Sequence, residues 1–354
     1  MNKVSKTLLL VLASTAASLL VGIAVAAYLT VPRIPLISEG DGLLVFDPEI
    51  GARANPSSHA KRIYPAVRDR QTFAFDIYTD DRGARVDGPG RKSPEQIDIM
   101  VVGDSFTWGY ALANEDTYAH HLVRELDASV SNFAMAAYGT TQSLQILRRN
   151  DDLSPKLVVY GIIAHHLERN VSPCLPSYYP FCFSASHVAW NEAGEPSIAL
   201  PRSNGVQRFQ RHLAGDFLDP VTWLTHGLDV VRGRLEYGLA TYATPPDEKK
   251  EEALAYLLRE MQRSADQIGA KLLVVYLPTN YYSAPAALPR VIGGIDLLDL
   301  TDAFQRERDK GVNLYIVGDG HPNRAAHELM SREIARYVRD KGLLEVKSSR
   351  REPG

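Results

Sequence analysis

The sequence predicts an α/β protein of three layers, a parallel β-sheet with helices on both faces, preceded by one apolar N-terminal helix. Three observations predict it. Short strand-like runs at residues 97–102, 129–133, 157–163, 271–277 and 295–300, apolar throughout or nearly so at 97–102, 157–163 and 271–277, alternate with segments of helical periodicity. Strands that are apolar on both sides belong to a sheet covered on both sides, which is the habit of parallel sheets. Lys3 and Lys6 precede a stretch, residues 7–31, without a charged side chain. The 354 residues are 45% apolar and 23% charged, an ordinary balance that supports a sizeable core and excludes wholesale disorder.

The N-terminal stretch is a targeting device. A helix over residues 8–29 would be about 33 Å long at roughly 1.5 Å per residue, enough for a hydrocarbon core of about 30 Å. The preceding lysines put the N-terminus in the cytoplasm and the body of the chain outside, in the periplasm of a Gram-negative cell. Two readings are open over residues 1–31. One is a retained signal-anchor. The other is a signal peptide cleaved at Ala24-Val25-Ala26, which would leave a secreted protein. The apolar run exceeds the usual signal core of roughly 7–15 residues, which favours the anchor. Cys174 and Cys182, the two cysteines, sit in a proline-rich loop. In an oxidising compartment they are expected to form a local disulfide, the alternative being two free buried thiols. Two cysteines are too few for a disulfide scaffold or a four-thiolate zinc site. A balance of 39 basic against 42 acidic residues, net −3, argues against a nucleic-acid partner.

Residues 32–96 read as an extended lead-in, rich in Pro, Gly and Arg, with strand fragments such as 72–78 and a turn at 80–83. The α/β domain spans 97–342. Its first strand ends at Gly103-Asp104-Ser105. A helix is expected over 117–127, then the strand at 129–133, a helix over 141–149 and the strand at 157–163. An insertion, about 172–246, holds the cysteine loop, a hairpin around 192–195 and helical stretches near 206–213 and 223–239. A long amphipathic helix starts at Pro245-Pro246-Asp247, with Thr244 as N-cap, proline at its first position and the charged run 247–252 as its solvated face. After the last two strands come a helix from about 301 and a final helix over 323–341 that Pro322 starts. Residues 343–354 form a polar tail.

Ligands of open parallel sheets sit at the carboxyl ends of the strands. That rule selects Gly103-Asp104-Ser105, residues 134–140, Ala164-His165-His166 and residues 317–323. A serine hydroxyl there is a weak nucleophile until a base takes its proton. His321 is the candidate base, since an imidazole titrates near neutrality. Asp319 stands two positions earlier, and Gly320 permits the turn that brings its carboxylate to the ring, where it would fix the tautomer. Taken singly, the serine turn is a common loop, Asp319 an N-cap and His321 a loop histidine; together, at two ends of one α/β domain, they form a catalytic constellation.

On these residues the chain resembles the SGNH (GDSL-type) hydrolase superfamily over about 97–342, with the insertion interrupting it. The first block of the family is similar to Gly103-Asp104-Ser105-Phe106-Thr107-Trp108-Gly109, which implies Ser105 as nucleophile. The last is similar to Asp319-Gly320-His321-Pro322-Asn323, which implies His321 as base and Asp319 as its orienting acid. The segment Tyr78-Thr79-Asp80-Asp81-Arg82-Gly83-Ala84-Arg85 is similar to one that often precedes the first block in exported members. The resemblance implies a flavodoxin-like sheet. It also implies an oxyanion hole from the Ser105 N–H, a glycine N–H and an asparagine side chain. Here Ala137 occupies the glycine position, with Gly139 two further on, and His165 stands where the asparagine is expected. A neutral imidazole can donate one N–H in its place; the alternative reading of His165 is altered or lost catalysis. The acid lies two rather than three residues before the histidine, as in some exported acyl-transfer relatives.

The implied activity is serine-dependent hydrolysis of an acyl ester outside the cytoplasm, on an acylated small molecule, glycan or lipid. Nothing calls for a cofactor. The alternatives are O-acyl transfer to an envelope glycan, which needs the same triad, and a non-catalytic module that binds a glycan or a protein. A metal site at His165 and His166 is disfavoured, because adjacent residues point apart and no partner motif has ligand spacing. Arg169 and Asn170 are candidates for anchoring the insertion or touching substrate, and Trp108 for lining a pocket or packing.

Overall fold

The computed structural model describes residues 3–30, 37–64, 73–175, 182–202, 206, 220–242, 244–280 and 288–345. Helix α1 (Lys3–Thr30) comes first, and its stretch Ser5–Val25, with mean hydropathy 2.5 and no buried residue, is long and apolar enough to cross a membrane. Six short strands follow: β1 (Ile37–Gly40), β2 (Leu44–Asp47), β3 (Gly51–Ala54), β4 (His59–Tyr64), β5 (Phe73–Thr79) and β6 (Arg85–Val86). The five strand-like runs of the sequence supply β7 (Ile99–Gly103), β8 (Val130–Asn132), β9 (Leu157–Ile162) and, after the insertion strands β10 (Cys174–Leu175), β11 (Phe183–Ser184), β12 (His187–Trp190) and β13 (Pro196–Ala199), β14 (Lys271–Tyr276) and β15 (Asp296–Asp299).

The central sheet has nine strands in the order β1-β4-β5-β6-β8-β7-β9-β14-β15. The last five are parallel, and in order of appearance run 2-1-3-4-5, the flavodoxin-like arrangement with its switch point between β7 and β9. The lead-in is more than an extended approach. Four of its strands continue the sheet antiparallel from β8, joined through the pairing of Arg85 with Asn132.

Alternation along each strand loads both faces. Met100, Val102, Val158, Tyr160, Val274 and Tyr276 point to one side, where α4 (Thr140–Arg149) and α7 (Asp247–Gln267) cover them with Leu144, Leu147, Leu254, Leu257 and Met261. Ile99, Val101, Val159, Leu273 and Val275 point to the other, under Leu122 and Leu126 of α3 (Tyr118–Leu126) and Leu329, Met330 and Ile334 of α10 (Arg324–Asp340), which follows the short helices α8 (Leu288–Ile292) and α9 (Thr301–Asp309). Fully burying each such side chain stabilises by roughly 1.5–3 kcal/mol, so the sandwich rests on these two layers.

Four local expectations are corrected. Helix α7 begins at Asp247 with Pro246, not Thr244, at the N-cap position. Its charged first turns are not all solvated: Lys250 is 8% exposed and holds Glu168 at 2.6 Å and Asp247 at 2.9 Å. Helix α10 begins at Arg324 rather than at Pro322, capped by the Asn323 side chain, which accepts from the Ala326 N–H at 3.1 Å. Leu343 and Leu344, assigned to a polar tail, are buried in the second layer. In the insertion, β12 and β13 form the hairpin expected around 192–195, and a helix, α6 (Pro220–Tyr242), covers the stretch expected at 223–239. Apart from Val206, the stretch 206–213 lies outside the described residues, as do 346–354 of the tail. Cys174 and Cys182 form a disulfide beside the short β10–β11 ladder.

Candidate active site

The nucleophile candidate stands where the chain turns from β7 into the one-turn helix α2 (Ser105–Trp108). Asp104 caps this helix, its Oδ1 accepting the Phe106 N–H at 3.0 Å. Gly103, at φ 153°, lets the turn sit hard against the sheet: a Cβ there would lie 2.5 Å from Thr107 Oγ1 and 2.7 Å from the Gly161 carbonyl. At the other end of α2 the buried Arg85 guanidinium donates to the carbonyls of Trp108 at 2.7 Å, Gly109 at 2.8 Å and Leu112. Burial lowers its pKa to about 9, and the cation is kept by these carbonyls. Its guanidinium carbon lies 5.1 Å from the centre of the Trp108 ring, which also meets Phe75 edge-on; at 3% exposure Trp108 packs the turn rather than lining a cleft.

His321 arrives from a tight turn after Tyr315. Its carbonyl accepts the Ile316 N–H at 2.8 Å, and Gly318 (φ 74°) and Gly320 (φ 91°) take left-handed conformations. The turn folds Asp319 back so that its Oδ1 lies 2.5 Å from His321 Nδ1. On the other side of the ring, Nε2 is 2.9 Å from Ser105 Oγ, across 216 positions of sequence. A carboxylate only accepts, so Nδ1 carries the proton and Nε2 is free to accept from the serine. Two aromatic rings hold the imidazole. Tyr110 stacks on it at 4.1 Å and 27°, and Phe106 leans on it at 5.3 Å. Sequence reasoning missed both, although both lie within five residues of Ser105, Phe106 inside its block and Tyr110 immediately after it.

The oxyanion candidates fare differently. The Ser105 N–H opens α2. Ala137 is buried with φ 69°, the left-handed conformation for which glycine is the usual choice. The Gly139 N–H donates at 2.8 Å to Gln142 Oε1 at the start of α4, so it is engaged within the fold. His165 is half-buried at the turn before α5 (His166–Arg169), and burial pushes its pKa down and keeps the imidazole neutral.

The adjacent histidine points inward. His166 is fully buried, its Nδ1 2.6 Å from the Tyr160 hydroxyl and its Nε2 3.6 Å from Asp104 Oδ2. Burial alone would raise the Asp104 pKa; the neighbouring His166 and Arg169 hold it at about 2. The Tyr160 hydroxyl continues to Thr140 Oγ1 at 2.7 Å, which accepts from Asn170 Nδ2 at 2.9 Å. Of the two residues set aside for the insertion or substrate, Asn170 anchors the insertion, its carbonyl accepting the Val188 N–H at 2.7 Å. Arg169 instead turns inward to Asp104, at 2.9 Å.

No family model matches the chain, and no curated protein matches it. Among solved structures it is similar to a GDSL-like lipase from Bacteroides thetaiotaomicron, with 12% identity over 71% of this chain and 93% of that one and a TM-score of 0.36. It is similar to a variant of an acetyl-xylooligosaccharide esterase from Geobacillus Stearmophilus, with 13% identity over 73% of this chain and 100% of that one and a TM-score of 0.35. A Bacillus subtilis protein is similar with 12% identity over 87% of this chain and 78% of that one, at a TM-score of 0.40. These scores are low, and the chemistry assigned to this chain rests on its own side chains.

Proposed function

We propose that this chain is an acyl ester hydrolase of the SGNH type that acts outside the cytoplasm, tethered by α1. The observation that carries the reading is the continuous relay from Asp319 through His321 to Ser105, with contacts of 2.5 and 2.9 Å. The Cys174–Cys182 disulfide and the exposed apolar α1 support an exported body.

In this reading Ser105 Oγ attacks the ester carbonyl while its proton passes to His321 Nε2. Asp319 stays ionised and stabilises the imidazolium. The developing oxyanion is met by the Ser105 N–H at the start of α2, the Ala137 N–H and the neutral His165. Collapse breaks the carbon–oxygen bond to the alcohol, which leaves with the proton from His321. Water then attacks the acyl-serine by the reverse sequence and frees the acid. Tyr110 and Phe106 pack on the ring and limit its rotation away from Ser105.

The test is hydrolysis of short p-nitrophenyl esters by the detergent-solubilised full chain and by Ser105→Ala. Turnover that disappears in the variant supports the reading. Turnover that survives in Ser105→Ala, or none in either protein, refutes it. Release that speeds up only when a glycan acceptor is added assigns the same triad to acyl transfer.

A further inference from the structure

Arg169 takes no part in the hydrolytic steps, yet it is 8% exposed and joins three of the loops that carry them, those of Ser105, Ala137 and His165. It closes α5, the turn that begins beside His165. Its Nη1 donates twice, to Asp104 Oδ2 at 2.9 Å and to the Tyr138 carbonyl at 3.0 Å. Asp104 is the residue before Ser105, and Tyr138 is the residue after Ala137. One nitrogen, sent from the third loop, therefore ties together the first and the second. A backbone bond from the Met135 N–H to the Gly103 carbonyl, 3.1 Å, joins the same two loops on their other side. The second loop needs holding, because Ala137 keeps a φ of 69° that costs an L-residue conformational energy. The salt link is buried and its acid ionised, so both ends are held by charge in a dry setting.

We infer that Arg169 is a positioning residue that sets the spacing between the Ser105 and Ala137 N–H groups, and so the fit of the oxyanion hole. The inference rests on the ester-hydrolase reading above. A lysine would reproduce it only in part: its ammonium can also donate twice, but it is a point charge on a flexible stem, without the rigid plane that directs both N–H bonds of Nη1.

The test uses the full chain in detergent as wild type, Arg169→Lys, Arg169→Met and Asp104→Asn. Labelling with a fluorophosphonate, run to completion, counts the competent serines in each preparation. Turnover is then expressed per competent serine, beside KM and the inhibition constant of a trifluoromethyl ketone, which adds to the serine and forms an oxyanion. Arg169→Met is expected to lose about 100-fold in kcat per competent serine, the scale of one oxyanion donor. KM should stay within about twofold, and the ketone should weaken by a factor close to the loss in kcat. Arg169→Lys should recover part of that loss. Asp104→Asn, which keeps an N-cap acceptor, should fall in the same direction should Arg169→Met fold poorly. The midpoint of the kcat/KM pH profile should not move, because the His321–Asp319 pair is untouched. Unchanged turnover per competent serine, with only fewer competent serines, would show a folding role and overturn the inference. So would a loss of kcat without weaker ketone binding. A wild-type chain that neither labels nor hydrolyses overturns the ester-hydrolase reading itself, and is told apart by that arm alone.

Discussion

Adding one methyl group at Gly161 should disable the site from the neighbouring strand. Gly161 pairs with Gly103 across β7 and β9, and α2 rests in the groove these two glycines leave. A Cβ on Gly161 would stand 2.0 Å from Thr107 Oγ1, 3.3 Å from Thr107 Cβ and 3.1 Å from Leu277 Cδ1. Comfortable separation is about 3.5 Å or more, so α2 must lift by about 1.5 Å at Thr107. Overpacking of this kind costs about 1–3 kcal/mol. Ser105 lies two residues away on the same turn, and a misplacement of about 1 Å costs roughly 100-fold in rate. Gly161→Ala is therefore expected to melt earlier and to lose about 100-fold in kcat/KM on a short p-nitrophenyl ester. Thr107→Ala removes the nearest atom, so the double variant Gly161→Ala/Thr107→Ala should recover at least tenfold. Wild-type activity in Gly161→Ala, or a double variant no better than the single one, would refute the seating of α2 against β9.

Other outcomes follow from the same geometry. Tyr110→Ala should lower kcat about tenfold with a smaller effect on KM, by freeing the imidazole, while Tyr110→Phe retains the stack and most of the rate; equal rates in both would remove Tyr110 from any holding role. His327 is fully buried and burial pushes its pKa down to about 3, against about 6.5 in the unfolded chain. The unfolded chain thus takes up a proton that the fold refuses, so stability is whole above about pH 7 and declines as pH falls. Urea titrations at pH 7 and pH 5 should differ by about 2 kcal/mol from this group, and His327→Gln should flatten that slope; identical midpoints at the two pH values would contradict it. The disulfide closes a loop with a separation of 8 positions. Cys174→Ser/Cys182→Ser should lose about 2.5 kcal/mol by loop-closure entropy, and added dithiothreitol should leave the double variant's melting point unmoved while lowering that of the wild type.

How much of this was legible in the sequence depends on how local the cause is. The three central parallel strands could be read because they are apolar on both faces, as in Ile99–Gly103 and Leu157–Ile162, where every residue is buried. The relay could be read because Gly103 and Gly320 mark the sharp turns that present Ser105 and His321. Of the antiparallel extension, the strand fragment at 72–78 could be read, as β5, but not the joining of the extension to the sheet. Its link to the main sheet, β6, is two residues long, and β4 carries Lys61 and Arg62 in a short polar strand that reads as lead-in. Arg169 was visible as a residue but not as a contact, because its acid lies 65 positions earlier and a charge gives no sign of being buried. Helix starts slipped by two residues at Thr244 and Pro322, where proline signals competed with the true cap positions, Pro246 and Asn323. Gly139 was a reasonable oxyanion donor by position, yet the Gln142 side chain three residues on takes its N–H, a capping bond that composition does not reveal.

The central claim is that His321 activates Ser105. It is tested most directly by the rate and site of fluorophosphonate modification in the full chain, read by intact mass and peptide mapping. The relay predicts one adduct, on Ser105, formed about 1,000-fold more slowly in His321→Ala and absent in Ser105→Ala. An adduct on another residue, or the same rate on Ser105 with and without the imidazole, would contradict it.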